Sequence, residues 1–187
     1  MDKVHFGKMA TVNSTTEVYK GKSFSFEVEG ITLPNGKETE MCRVHHPGST
    51  AIVPVFDDGT VALTLQYRHA VREYLLEIPA GTLEPDESPL ACAGRELQEE
   101  TGLEANELME LARVHILPSY SDEVITVYLA RDFKETKQNL DEDEIIQVVK
   151  VPFKEVVEMI GDGRITDALT ILSIQKARLY LKPSMSD

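Results

Sequence analysis

Cysteine is scarce in this chain and never clustered. Cys42 and Cys92 are the only two among 187 residues, far apart and without C-x-x-C or zinc-type spacing, which argues against a thiolate metal site. Cys92 reads as a small packing residue rather than a nucleophile. The five histidines form no H-x-H or H-E-x-x-H pattern, so a histidine-held metal is not expected either. No apolar run approaches membrane-spanning length, and the first residues, MDKVHFG, lack a hydrophobic signal core; the expectation is a cytoplasmic protein with no membrane partner. Basic residues are also in deficit, 19 Lys and Arg against 32 Asp and Glu, for a net charge of −13. That balance disfavours a nucleic-acid partner, which would need basic clustering. It leaves anionic substrates open, because a bound metal ion reverses the local field.

What is present is concentrated between Gly81 and Leu103, in GTLEPDESPLACAGRELQEETGL. The run fits G-x5-E-x7-R-E-U-x-E-E-x-G-U, with U a bulky aliphatic residue, at Gly81, Glu87, Arg95, Glu96, Leu97, Glu99, Glu100, Gly102 and Leu103. Pro85-Asp86-Glu87 makes a polar turn, Ser88-Pro89 an N-cap with proline at the first helical position, and Gly102 a left-handed C-terminal cap. On a helical wheel Leu90, Ala93, Gly94, Leu97 and Thr101 form one stripe suited to packing on a sheet. Glu96, Glu99 and Glu100 share another flank at i, i+3 and i+4, where like charges repel by roughly 0.2–0.5 kcal/mol per pair. A glutamate triplet alone is usually a solvated face. Its register with Gly81, Glu87, Arg95 and Gly102 points instead to a hard divalent cation, which takes oxygen ligands and shares substrate phosphates.

The flanking pattern divides the chain at Pro47-Gly48. Before it, Lys22–Ile31 alternates as a half-buried strand, Pro34-Asn35-Gly36 signals a turn, and Lys37–His45 returns, so residues 1–47 form a small antiparallel unit. Beyond it, Ser49–Phe56 and Val61–Arg68 read as a hairpin across Asp57-Asp58-Gly59, with further strands at Tyr74–Ile78, Leu111–Leu117, Val124–Ala130 and Ile145–Val151. Phe153–Ile160 and Asp167–Leu181 have helical periodicity, and residues 183–187 read as a tail. The order of strands, helix, strands and helices predicts an α/β protein with helices on both faces of a mixed sheet.

The Gly81–Leu103 run resembles the signature of the Nudix hydrolases, and the resemblance covers about residues 48–182. It implies the Nudix-type α/β/α sandwich and metal-assisted hydrolysis of a diphosphate linked to another moiety. Carried onto matching positions, it implies metal ligands at Glu96, Glu100 and Glu99 and the Ala80 carbonyl, with Arg95 pairing with Glu87 to brace the loop. Gly81 and Gly102 are structural. Gln66–Gly81, QYRHAVREYLLEIPAG, looks like the segment preceding the motif in ADP-ribose pyrophosphatases and related nucleoside-diphosphate-sugar hydrolases. In that subgroup a proline follows the motif at the distance where Pro118 stands, and the amino-terminal hairpin resembles its dimerisation unit.

The resemblance therefore implies a homodimer that uses Mg2+, with Mn2+ an equal fit to oxygen ligands, to hydrolyse ADP-ribose to AMP and ribose 5-phosphate. Another sugar nucleotide such as GDP-mannose is the alternative substrate. Arg68, Glu77 and Pro118 are the candidate substrate contacts. The general base is expected from a mobile acidic loop, here Asp141-Glu142-Asp143-Glu144, with Glu142 and Glu144 leading and Glu99 competing. A non-catalytic nucleotide-sensing module is a different class of reading. Such a module would have lost motif carboxylates or gained a basic DNA-binding segment; this chain keeps every carboxylate, and its amino-terminal unit is strand-like and acidic.

Overall fold

Six consecutive residues without an exposed side chain, Ser49–Pro54, mark the centre of the larger of two units. The computed structural model describes residues 7–142 and 144–181. The expected tail at 183–187, the first six residues and Asp143 of the acidic run lie outside the described residues. The described chain divides into one unit of residues up to Pro47 together with Leu117–Glu123, and a second of Gly48–Ile116 with Val124 onward.

The smaller unit is a three-stranded antiparallel sheet, β1 (Thr11–Lys20), β2 (Ser25–Thr32) and β3 (Glu38–His45), in that spatial order. The turn around Pro34-Asn35-Gly36 joins β2 to β3, with Gly36 N–H donating to the Leu33 carbonyl at 2.8 Å. Strand β1 is an addition to the sequence-based expectation. Its sequence, TVNSTTEVYK, lacks the sustained alternation that identifies a half-buried strand, and all ten of its residues are exposed. On the neighbouring strands the Arg43 guanidinium bonds the Glu27 carboxylate at 2.6 Å and holds its pKa below the usual range. Leu117–Glu123 belongs here because Val44 N–H donates to the Tyr120 carbonyl at 2.7 Å and Asp122 accepts from the His46 amide at 2.9 Å.

In the larger unit β4 (Ser49–Pro54) pairs parallel with β9 (Ile125–Glu135) and antiparallel with β7 (Ala80–Thr82), giving a mixed sheet ordered β7-β4-β9-β8, with β8 at Leu103–Val114. A second, antiparallel sheet is ordered β10-β5-β6, from Ile146–Pro152, Thr60–Arg68 and Glu73–Glu77. The expected hairpin of β4 with β5 is therefore corrected. The two strands diverge into different sheets after a single Val55–Val61 bridge, because β4 is buried along its whole length on both faces, as parallel central strands are. β8 begins at Leu103, well before the predicted Leu111, immediately after the motif helix.

Helix α1 (Pro89–Thr101) covers one side of the sheets, where Ile52, Ala62, Ala93, Leu97, Leu103 and Tyr128 form an apolar cluster. Helices α2 (Phe153–Asp162) and α3 (Ala168–Leu181) cover the other, larger cluster, which includes Val53, Leu63, Val127, Val156 and Ile174. The observed architecture is the expected α/β/α sandwich with a mixed sheet. None of the described helices is long and apolar enough to cross a membrane.

Candidate active site

Helix α1 starts and stops where the sequence places its caps. Ser88 Oγ accepts from the Ala91 amide at 3.2 Å, Pro89 occupies the first turn, and Gly102 closes the helix at φ +70°. The buried stripe differs from the expected one. Leu90 is exposed, whereas Cys92, Ala93, Glu96, Leu97 and Glu100 are buried. Leu90 lies in the first turn, and the helix is rotated so that two glutamates face inward. A wheel assigns faces by hydrophobicity and so sends them outward.

Those two glutamates meet β7. A side-chain carbon added to Gly81 would sit 1.9–2.3 Å from the Glu96 carboxyl atoms, so only glycine lets the carboxylate lie against the backbone there. Glu100 Oε2 accepts from the Ala80 amide at 3.1 Å. Burial pushes the Glu100 carboxyl up to about 8, reinforced by the negative charges of Glu96 and Glu144. Burial also raises Glu96, against the pull of Arg95. Desolvation is the larger cause in both.

Arg95 does more than the expected pairing. Its Nε and Nη2 bond Glu87 at 2.9 and 2.8 Å, and Nη2 also donates to the Thr82 carbonyl at 3.1 Å. Its Nη1 reaches Glu96 at 2.7 Å and Glu99 at 3.0 Å. One guanidinium thus ties the loop, the helix and two of the three clustered carboxylates together. The Arg95 bonds hold Glu87 at a pKa of about 2, the effect of a charge-assisted pair. Cys92 packs beneath this network, accepting from Thr50 Oγ1 at 3.3 Å, and burial raises its thiol to about 11. It is a packing residue, with no thiolate at neutral pH.

Arg68 and Glu77 lie on the face of β5 and β6 that includes buried Thr64 and Gln66. Arg68 grips both Glu77 oxygens, Nε at 3.1 and 2.9 Å and Nη2 at 2.6 Å. Burial pulls the Arg68 pKa down, and Glu77 more than restores it, with Glu100 and Asp167 adding negative charge nearby. Asp167 also caps α3 by accepting from the Thr170 amide at 2.7 Å. Buried Thr170 Oγ1 accepts from the Ile78 amide at 3.0 Å. Neither residue is among the sequence candidates; an Asp-x-x-Thr spacing before an apolar helix is the signal that could have found them.

The acidic loop separates its members. Glu144 is half-buried and its charge acts on Glu96 and Glu100, whereas Glu142 is exposed. Glu144 Oε2 accepts from the Asp141 amide at 3.1 Å. Pro118 belongs to the smaller unit, in the turn where the Leu117 carbonyl accepts from the Tyr120 and Ser121 amides; the carboxylate cluster is built without it.

Among the described residues no three His, Cys, Asp or Glu side chains converge as a ready metal cage. The donor set nevertheless suits a hard cation. Two buried carboxylates face the Ala80–Gly81 backbone, and the cradle at Gly81 excludes any larger residue. The positive charge between Glu96 and Glu99 is the Arg95 guanidinium.

Known proteins resemble this chain in sequence and in fold. The NUDIX domain family matches residues 45–170. An ADP-ribose pyrophosphatase of Bacillus subtilis (strain 168) is 36% identical over 165 residues, covering 87% of this chain and 89% of that protein. A methanol dehydrogenase activator of Bacillus methanolicus is 33% identical, covering 88% and 90%. A GDP-mannose pyrophosphatase of Yersinia pestis (strain Pestoides F) is 36% identical over 180 residues, covering 89% and 88%. Among solved structures, an ADP compounds hydrolase superposes with a TM-score of 0.84 at 24% identity, covering 96% of this chain and 97% of that one, a likeness of fold. With its motif, its fold and these relatives in agreement, the chain belongs to the Nudix hydrolase family.

Proposed function

We propose that this protein is a Mg2+-dependent hydrolase of nucleoside diphosphate sugars that cleaves ADP-ribose to AMP and ribose 5-phosphate. The observation that carries the reading is the inward pair on α1: Glu96 against Gly81 and Glu100 on the Ala80 amide, both buried, with the Arg95 guanidinium on Glu96 and a neutral amide on Glu100. The names of the relatives, an ADP-ribose and a GDP-mannose pyrophosphatase, support the substrate class.

In this reading Glu96, Glu99, Glu100 and the Ala80 carbonyl hold the divalent ions. When bound, such ions neutralise the phosphate oxygens and lower the pKa of a coordinated water. Glu96 and Glu99 would leave Arg95, which keeps its two bonds to Glu87 and so still fixes the loop ahead of the helix. Arg68, held in plane by Glu77, presents a guanidinium suited to phosphate oxygens. Glu144 takes the proton from the attacking water; it is favoured over exposed Glu142 by its burial, and over Glu99 because in this reading that carboxylate is taken up by the metal ions. Pro118 is kept as a substrate contact on the resemblance alone.

The fully exposed β1 and the exposed Val12, Val18 and Tyr19 on it support a homodimer formed through the 1–47 unit, with the 48–182 domain carrying the chemistry. Two free thiols suit a reducing cytoplasm. The substrate reading is tested by incubating the protein with ADP-ribose, GDP-mannose, ADP-glucose, diadenosine polyphosphates and NADH, with Mg2+ or chelator. Mg2+-dependent AMP release greatest from ADP-ribose is expected; GDP-mannose as the best substrate would transfer the reading to the alternative, and no hydrolysis of any compound would support a silent sensing module.

A further inference from the structure

The last turn of a helix leaves carbonyls with no partner inside the helix. At the end of α1 one short segment, residues 136–139, supplies partners for two of them, Glu99 and Glu100, and for the capping Gly102. Thr136 N–H donates to the Gly102 carbonyl at 2.7 Å and Asn139 N–H to the Glu99 carbonyl at 3.0 Å. Gln138 Nε2 donates to the Glu100 carbonyl at 2.6 Å. In return Gln98 Nε2 on the helix donates to the Lys137 carbonyl at 2.7 Å. The two chain segments touch at backbone distance: a side-chain carbon on Gly102 would lie 3.1 Å from the Thr136 oxygen and 3.2 Å from the Gln138 nitrogen.

Two features give this cap a role beyond ending a helix. Glu100 is held at both ends, its carboxylate by the Ala80 amide and its carbonyl by Gln138. The segment also runs directly into the acidic loop, where Glu144 N–H closes a turn on the Asp141 carbonyl at 3.0 Å and the Glu144 carboxylate returns to the Asp141 amide. Gln138, whose side chain grips the helix, is separated from Asp141 only by Asn139 and Leu140.

We propose that residues 136–139 are a clasp that sets where Glu144 stands relative to the carboxylates of α1, with Gln138 as its positioning residue. The inference rests on the reading of Glu144 as the base. Gln138 touches no reacting group; it acts by fixing the root of the loop to the backbone of Glu100. An amide is the right group because the target is a carbonyl at the negative end of a helix, where a carboxylate would be repelled. Misplacing a reacting group by about 1 Å costs on the order of 10²-fold in rate, so a loosened clasp is expected to lower turnover without unfolding the protein.

The test is a double-mutant cycle of Gln138→Ala and Glu144→Gln, with ADP-ribose and Mg2+, alongside amide exchange. Gln138→Ala is expected to lower kcat about tenfold, within that positional penalty, with KM little changed. Glu144→Gln is expected to lower kcat about 10²-fold or more, the range for a lost general base. In the Glu144→Gln background, Gln138→Ala should add nothing. Exchange of the 139–144 amides should quicken in Gln138→Ala while that of the first turns of α1 does not. Gln138→Lys, which keeps a donor, should recover most of the turnover, and Gln138→Glu should not. An equal loss from Gln138→Ala with and without Glu144 would overturn the clasp while sparing the base assignment. Wild-type turnover in Gln138→Ala would overturn it too, and wild-type turnover in Glu144→Gln would remove the base reading together with the clasp built on it.

Discussion

Strands β1 and β4 stand at opposite extremes of the same molecule. β4 buries all six of its residues; β1 exposes all ten. β4 lies between β7 and β9 with apolar clusters on both sides, and its backbone amides feed the site indirectly, Ile52 N–H donating to the Pro79 carbonyl just before Ala80 and Gly81. Among the described residues β1 is an edge strand paired with β2, carrying Val12, Val18 and Tyr19 into solvent. Exposed edges of this length are a liability that proteins cover or pair. One region is therefore packed within the chain itself, while the other would be covered by the proposed second copy.

The largest effect should come from the buried region. Replacing Glu100 by Gln keeps the shape but removes the carboxylate charge from the proposed metal site, a loss of several kcal/mol of transition-state stabilisation if the proposal holds, so kcat for ADP-ribose should fall about 10²-fold or more. Circular dichroism of the same sample should match the wild type. Turnover near wild type would place the metal elsewhere.

Next in size is the packing contrast itself. Ile52→Ala, at a fully buried position of β4, should cost about 2–5 kcal/mol in chemical denaturation. Val18→Ala on β1 should change the stability of the folded chain by less than about 0.5 kcal/mol. Val18→Glu sharpens the comparison, since light scattering should then report a monomer where the wild type gives a dimer. A monomeric wild type would remove the proposed partner for β1.

A smaller effect follows from the salt bridge that braces the motif loop. Glu87 has its pKa lowered from 4.5 to about 2 by Arg95. A depressed carboxylate stabilises the folded state fully above its unfolded pKa and loses that contribution as pH falls toward the folded one. Wild type should therefore melt above Glu87→Gln at pH 6, and the gap should close between about pH 4.5 and pH 2. A gap that does not change with pH would mean that the pair acts through packing, not charge.

Much of this was legible in the sequence where local chemistry decides. Ser88, Pro89 and Gly102 bound α1 because capping depends on neighbours in the chain. The inward turn of Glu96 and Glu100 was hidden in the hydrophobic pattern, since a buried carboxylate looks like a surface one until its partners are placed. The departure of β5 from β4 was hidden for a similar reason. A short loop between two apolar strands reads as a hairpin, and the parallel pairing of β4 with β9 joins residues more than seventy positions apart. Thr170 and Gln138 act across 92 and 38 positions respectively, beyond any periodicity. β1 escaped because a strand with nothing buried has no alternation to detect.

The central claim is that the inward flank of α1 holds divalent ions. Titrating Mn2+ into the wild-type protein and into a Glu96→Gln, Glu100→Gln variant, with free Mn2+ read by electron paramagnetic resonance, tests it without reference to substrate. The account predicts saturable binding by the wild type and an affinity weakened more than about tenfold in the variant; equal binding by both proteins would contradict it.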